Sequence, residues 1–279
     1  MKIDFERGLI MRKCAIAILA ASSLLITGCA SQTKKRNTKN STKTELENKS
    51  DKQRSSQKRA STTKSGKDFS EQTARIAVFN RKLRNVLRGG MLPTTDGLNN
   101  GSNRLNIRYT GDVNNYAIFY SVGKKAKNFN DDNVAHEIPY AEFTKRTYST
   151  TEEAAQQIEH RSTADFKGLP TVSLGHNIQG YLDAGAGQRY LNWNEGNWSF
   201  GVHATALQGE KLEQMSKQIV SLLEEHMLPV PRLYGQVSFE VGNQDGQRNQ
   251  NIIWQDEKTV FKLSAHNFKT AIKMAASVK

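Results

Sequence analysis

The chain has 279 residues, 24% of them charged, with a formal net charge of +13 and two cysteines. The basic excess is uneven: residues 30–68 hold twelve Lys and Arg against four Asp and Glu, residues 1–28 hold four against two, and residues 69–279 keep only +3. That leaves the later part without the charge of a nucleic-acid-binding face, and with both cysteines, Cys14 and Cys29, near the start, nothing beyond residue 29 can supply a disulfide, a thiol nucleophile or a thiolate metal site.

Taken in chain order, Arg12 and Lys13 form a positive segment after Met11, and Cys14 to Ile26 form a short apolar run. Thr27 and Gly28 are small residues ahead of Cys29, which gives the order of a cleaved export signal. The run falls short of the roughly 20 apolar residues that a spanning helix needs. Asp4 and Glu6 are out of place ahead of such a signal, which makes Met11 an alternative start to Met1.

Ile26-Thr27-Gly28-Cys29 resembles the lipobox of bacterial lipoproteins. That resemblance implies cleavage after Gly28, a diacylglyceryl thioether on Cys29, and two acyl chains holding the protein on the extracytoplasmic face of the cell membrane. Two chains anchor stably where one does not.

Residues 30–68 lack aromatic residues and contain Leu46 as their one large aliphatic. Such a segment cannot bury enough apolar surface to offset its ordering entropy, so a disordered basic tether over 29–68 is predicted. A flexible chain of this length spans roughly 35 Å root-mean-square. Its charge suits an anionic lipid surface or an anionic wall polymer, and equally serves to keep a spacer soluble and extended.

The folded part is predicted as α+β, with antiparallel sheets and helices packed on one face. It divides into an N-terminal helix and hairpin region, 69–168, and a two-repeat region, 169–279. A helix over 69–88 carries Ile76, Phe79, Leu83, Val86 and Leu87 on one face, with Asp68 and Glu71 as a capping box. A hairpin follows, alternating through Leu105, Ile107 and Tyr109 and returning through Tyr116, Ile118 and Tyr120, with its bend at 111–114. A strand near 139–148 and a short helix over 152–161 complete a segment that could be a third, degraded copy of the units downstream.

Those units begin at Thr171. The first has strands near 171–175, 178–183, 188–194 and 197–204 and a helix near 209–227, ended by Pro229 and Pro231. The second has strands near 235–241, 250–255 and 259–265 and a helix from about 267, capped by Asn267. The copies align through Trp193 and Trp254, Phe200 and Phe261, and Val202 and Leu263. A turn at Glu195-Gly196 would set Trp193 against Trp198. Alternation then places Leu191, Trp193, Trp198, Phe200 and Val202 on one face and Tyr190, Asn192, Asn194, Asn197, Ser199 and His203 on the other. The tryptophans read as core beneath the helices rather than as a sugar-binding platform. A ligand surface is therefore expected on the polar face, at Tyr190, Asn192, Ser199 and His203, or at the loop Asp183 to Gly187.

No catalytic, cofactor or metal motif is complete. His136-Glu137 starts a zinc-protease pattern but Tyr140 stands where the second histidine belongs. Ser55 with Lys58, and Ser61 with Lys64, match a serine–lysine spacing within the tether. Asn130 to Asn133 lacks a full calcium loop, and Asp245-Gly246 reads as a turn. The lipobox, the polar tether and the Trp-turn-strand-helix units resemble small cell-envelope lipoproteins of Gram-positive bacteria, a family with no assigned activity to carry over; the β-rich repeat units without an assembled catalytic constellation point instead to a lipid-anchored, non-enzymatic binding or interaction module. An envelope hydrolase whose carboxylates converge only in the fold, and a regulatory lipoprotein acting through an envelope protein, remain open alternatives.

Overall fold

Alternating apolar side chains over 105–265 build one sheet of ten strands in the computed structural model, which describes residues 74–242 and 246–279. The strands are β1 (Leu105–Gly111), β2 (Tyr116–Val122), β3 (Ala141–Thr147), β4 (Thr171–Gly175), β5 (Ile178–Gly185), β6 (Gln188–Glu195), β7 (Trp198–Thr205), β8 (Gly235–Glu240), β9 (Gln250–Asp256) and β10 (Thr259–Ala265). The helices are α1 (Arg75–Val86), α2 (Thr151–Ala155), α3 (Gly209–Glu225) and α4 (Phe268–Ala276). The export signal, Gly28, Cys29, the tether and the Asp68–Glu71 capping box lie outside the described residues, as does Asp245.

The spatial order is β1-β2-β3-β10-β9-β8-β7-β6-β5-β4. Every neighbouring pair is antiparallel except β7 and β8, which run parallel because α3 carries the chain back between them. Residues 69–168 and 169–279 meet within the sheet, where β3 pairs with β10.

The core lies on one face. Ile76, Phe79 and Leu83 of α1, Leu212, Ile219 and Val220 of α3, and Ala271, Ile272 and Ala275 of α4 pack with Leu191, Trp193, Trp254 and Leu263 in one cluster. Trp193 and Trp254 are buried, as a core reading requires. The chain's last residues are tied back: Leu92 and Lys279 exchange backbone hydrogen bonds at 3.0 and 3.1 Å.

The second helix departs from the expected one-sided packing. α2 has five residues rather than ten, and its buried Ala154 lies outside the main cluster. It packs beside β10, where Gln255 Nε2 donates to the Thr151 carbonyl at 2.8 Å. Gln255 and Val260 alternate with Trp254 and Phe261 and so face away from the core. α2 and the segment after it therefore cover part of the opposite face, unlike α3 and α4. α1 also starts later than expected, at Arg75, with no side-chain cap.

The β6–β7 register corrects the predicted turn. Glu195 pairs with Trp198, Asn194 with Ser199 and Trp193 with Phe200, so the turn is Gly196-Asn197. Gly196 has φ +56°, which glycine adopts without steric cost. The displacement is even, so the predicted faces survive while the partners change. Trp193 stacks on Phe200 with ring centroids 4.9 Å apart, and across β9–β10 Trp254 stacks on Phe261 at 5.4 Å. Leu191 opposes Val202 as Ile252 opposes Leu263.

Candidate functional site

The four polar-face residues singled out from the sequence, Tyr190, Asn192, Ser199 and His203, all line one cleft of about 170 Å³. Pairing explains why they converge. Across β6, β7 and β8 the sheet forms three rows: Asn194, Ser199 and Gln236; then Asn192, Gly201 and Ser238; then Tyr190, His203 and Glu240. Gly201 leaves the middle row without a side chain and opens the floor. A Cβ there would stand 3.3 Å from Asn192 Oδ1.

One wall comes from the strap that follows α2. The Glu159 N–H donates to Gln236 Oε1 at 3.2 Å, and Asn194 Nδ2 donates to the Arg161 carbonyl at 2.7 Å. His160 stacks on Tyr234 with centroids 4.3 Å apart, and burial lowers its pKa. Arg161 lies over the Phe166 ring at 4.7 Å. Glu159, Arg161, Gln236 and Ser238 have no sequence signal of their own. Only the sheet order brings them to the hairpin, although the position of Gly201 opposite Asn192 could be read once the register is right.

Asn192 is 4% exposed, and its Nδ2 is buried without a hydrogen-bond partner. A buried donor left unpaired costs about 1–3 kcal/mol. The site is thus built to donate to an acceptor atom placed in the cleft. His203 Nε2 sits 2.7 Å from Gln188 Oε1. Its ring stacks on Tyr190 at 4.7 Å, and Nδ1 lies 3.6 Å from Glu240. Ser199 and His203 are four residues apart on one strand, about 13 Å at 3.3 Å per residue, so they form no nucleophile–base pair. What the cleft offers chemically is a set of hydrogen-bonding groups and the stacked Tyr190 and His203 rings.

The other sequence motifs resolve into local structure. Glu137 accepts from Ser121 Oγ at 2.6 Å, from Asn106 Nδ2 at 3.0 Å, and pairs with Lys127 at 3.0 Å. Burial alone would raise its pKa, and these hydrogen bonds together bring it below the usual glutamate value. Asp131 accepts from the Asn133 backbone N–H and Nδ2, both at 2.9 Å, which closes the 130–133 turn on itself. The expected Asp183–Gly187 loop is mostly strand: Asp183 to Gly185 pair with β6, and only Ala186 and Gly187, both at positive φ, make the turn. Among the described residues, no three His, Cys, Asp or Glu side chains converge as metal ligands.

A second concavity of about 390 Å³ lies on the core side, between the β6–β7 turn and the end of α3. Trp198, 7% exposed, forms its inner wall. Glu195 sits at its edge, accepting from Trp193 Nε1 at 2.8 Å. Burial raises the Glu195 pKa; the Trp193 bond opposes that shift and the nearby Glu224 adds to it. Compared with protein-family models, with curated proteins and with solved structures, the chain matches none of them.

Proposed function

We propose that this protein is a lipid-anchored, non-enzymatic binding module on the outer face of the cell membrane. In this reading Cys29 carries the anchor after cleavage behind Gly28, the basic tether rests on anionic lipid or wall polymer, and the fold presents the polar-face cleft to an envelope ligand. The single observation that carries it is Asn192, whose buried Nδ2 lacks a partner at the floor of a cleft formed by Tyr190, Ser199 and His203. Glu159 is the one carboxylate among the lining residues, and Glu240 stands beside His203 at the edge of the cleft.

The two hairpin–helix units are read as copies of one ancestral unit, β6-β7-α3 and β9-β10-α4. The matched Trp–Phe and Leu–Val or Ile–Leu pairs support this, since equal spacing reproduces equal registers.

Co-sedimentation with purified cell envelopes at low and high salt tests the binding reading. The full chain is compared with Asn192→Leu, which removes the unpaired donor. Salt-resistant binding that Asn192→Leu abolishes, at an unchanged melting temperature, is the expected result. Binding that salt releases and the substitution leaves intact would assign attachment to the tether and refute the cleft.

A further inference from the structure

We infer that the groove beside Trp198 is a binding site for a single-chain anionic amphiphile. Its apolar chain would lie against Trp198 and its head would meet the lysines between α3 and α4. The site is independent of the polar-face cleft, from which the sheet separates it, and of the anchor at Cys29.

The walls come first. Leu223, Met227, Leu228, Val230 and Pro231 face Trp198 across the cavity of about 390 Å³, a volume within the range of ligand sites. Two polar groups at its edge are already engaged. Trp198 Nε1 donates to the Pro229 carbonyl at 3.2 Å, and Glu195 holds Trp193 Nε1 at 2.8 Å. Apart from Glu195 and Asn197 at the turn, what faces the cavity is apolar, so an apolar group gains by entering. Pro229 and Pro231 fix the backbone of one wall, which limits the ordering cost of binding.

The rim is unusual for a surface in water. Met227 is 82% exposed and Val230 is 89% exposed, both at the mouth of the same cavity. Isolated exposed apolar residues need no explanation, but two that border an apolar cavity make a continuous surface. Methionine also adapts its shape to varied apolar partners.

Charge then selects the head group. Met227 lines a second cavity of about 650 Å³ together with His226 and Lys273. Lys273 and His226 continue into a third, of about 620 Å³, where Lys217 and Lys269 stand. Lys217 is bonded to Glu213 at 2.6 Å, whereas Lys269 and Lys273 have no acidic partner among the described residues. Glu225 is the one acid in the lining of these two cavities. Cations therefore begin where the apolar groove ends, with Met227 at the junction. A neutral chain alone would leave these lysines unused, and a compact anion would leave the groove empty. A chain bearing an anionic head satisfies both. A carboxylate or a phosphate head meets the same requirement, and so does a lipid drawn from solution or from a bilayer.

Fluorescence of the full chain separates these cases, because Trp198 lines the groove and Trp254 borders the adjoining concavity beside Val230 and Pro231, while Trp193 is enclosed in the core. The probe is a lysophosphatidylglycerol brominated along its chain, kept below its micelle concentration, beside the matched lysophosphatidylcholine. Saturable quenching is expected, at least tenfold tighter for the anionic head. Val230→Asp, a change at an exposed rim position, is expected to weaken binding at least tenfold without altering the melting temperature. Lys273→Glu is expected to erase the preference between heads. Unsaturable quenching, or equal affinity in Val230→Asp, would overturn the proposal. Binding to phosphatidylglycerol vesicles without quenching by the monomer would overturn it too, and assign the contact to surface charge.

Discussion

Glu195 offers a sharp test of how the β6–β7 hairpin is held. Its carboxylate is the partner of the fully buried Trp193 indole N–H, at 2.8 Å. Glu195→Ala would leave that donor buried and unpaired, at a cost of about 1–3 kcal/mol. For a domain of this size each kcal/mol moves the melting temperature by roughly 2–4 °C, so a fall of several degrees is expected. Glu195→Gln keeps an acceptor oxygen in place and behaves differently. Burial raises the Glu195 pKa above its unfolded value near 4.5, so the folded state favours the neutral form. The stability that this group contributes is complete below the unfolded value and is lost as pH rises through the raised folded value. Glutamine has no charge to lose. The Glu195→Gln protein should therefore match the parent at pH 4 and exceed it at pH 7, with a flatter pH profile between. Urea unfolding followed by tryptophan fluorescence across that range measures both effects. If glutamine proved as damaging as alanine at every pH, the carboxyl would not be acting as a simple acceptor for Trp193. If the parent and Glu195→Gln kept parallel pH profiles, the raised pKa would be wrong.

Three further outcomes follow from local geometry. At Gly235 a Cβ would fall 2.5 Å from Trp198 Cε3, so Gly235→Ala should destabilise by about 1–3 kcal/mol through forced repacking, measured by denaturant midpoint. Ala186 holds φ +50° in a turn whose second residue is Gly187 at φ +76°. Asn-Gly is the preferred pair for such a turn, and asparagine tolerates left-handed φ better than alanine, so Ala186→Asn should stabilise by about 0.5–1 kcal/mol in the same measurement. Glu137, its pKa held down by Ser121, Asn106 and Lys127 against burial, contributes stability above the unfolded glutamate value near 4.5 and loses it as pH falls. Acid melts of the parent should therefore drop more steeply below pH 4.5 than those of Glu137→Gln.

Much of this fold is legible in the sequence, and the failures have identifiable causes. Alternation through Leu191, Trp193, Phe200 and Val202 assigns faces reliably, because burial on one side fixes parity. It does not fix the partner: Glu195-Gly196 and Gly196-Asn197 are both plausible turns, and both preserve parity. The signal that decides was present. Trp193 and Phe200 are seven residues apart, as are Trp254 and Phe261, and a two-residue turn midway makes each a cross-strand pair. α2 illustrates the opposite limit. Five residues with one buried alanine carry too little periodicity to declare a face, so its place over Gln255 and Val260 is set by tertiary contacts. The polar residues of the cleft were readable from one hairpin, whereas Glu159, Arg161, Gln236 and Ser238 arrive from a strap and a parallel neighbour that local patterning does not encode.

The β6–β7 hairpin also joins the two concavities. β7 supplies Ser199 to the polar cleft and Trp198 to the apolar groove on alternate faces, so a single strand serves both. Two arrangements are then physically possible. If the sheet is a rigid partition, Asn192→Leu and Val230→Asp act on separate sites, and their effects on stability should add within about 0.3–0.5 kcal/mol. Each would also leave the other site's binding constant unchanged. If instead the hairpin shifts as a unit between two positions, filling one face biases the other, and the coupling must be equal in both directions. The geometry favours the partition: Trp193 and Phe200 are stacked in the core, and Glu195 ties the tip to the indole beneath it. A double-mutant cycle on stability, together with binding of the brominated amphiphile to Asn192→Leu, distinguishes the two. An interaction above about 1 kcal/mol, or a changed amphiphile affinity, would replace a passive sheet with a coupled one.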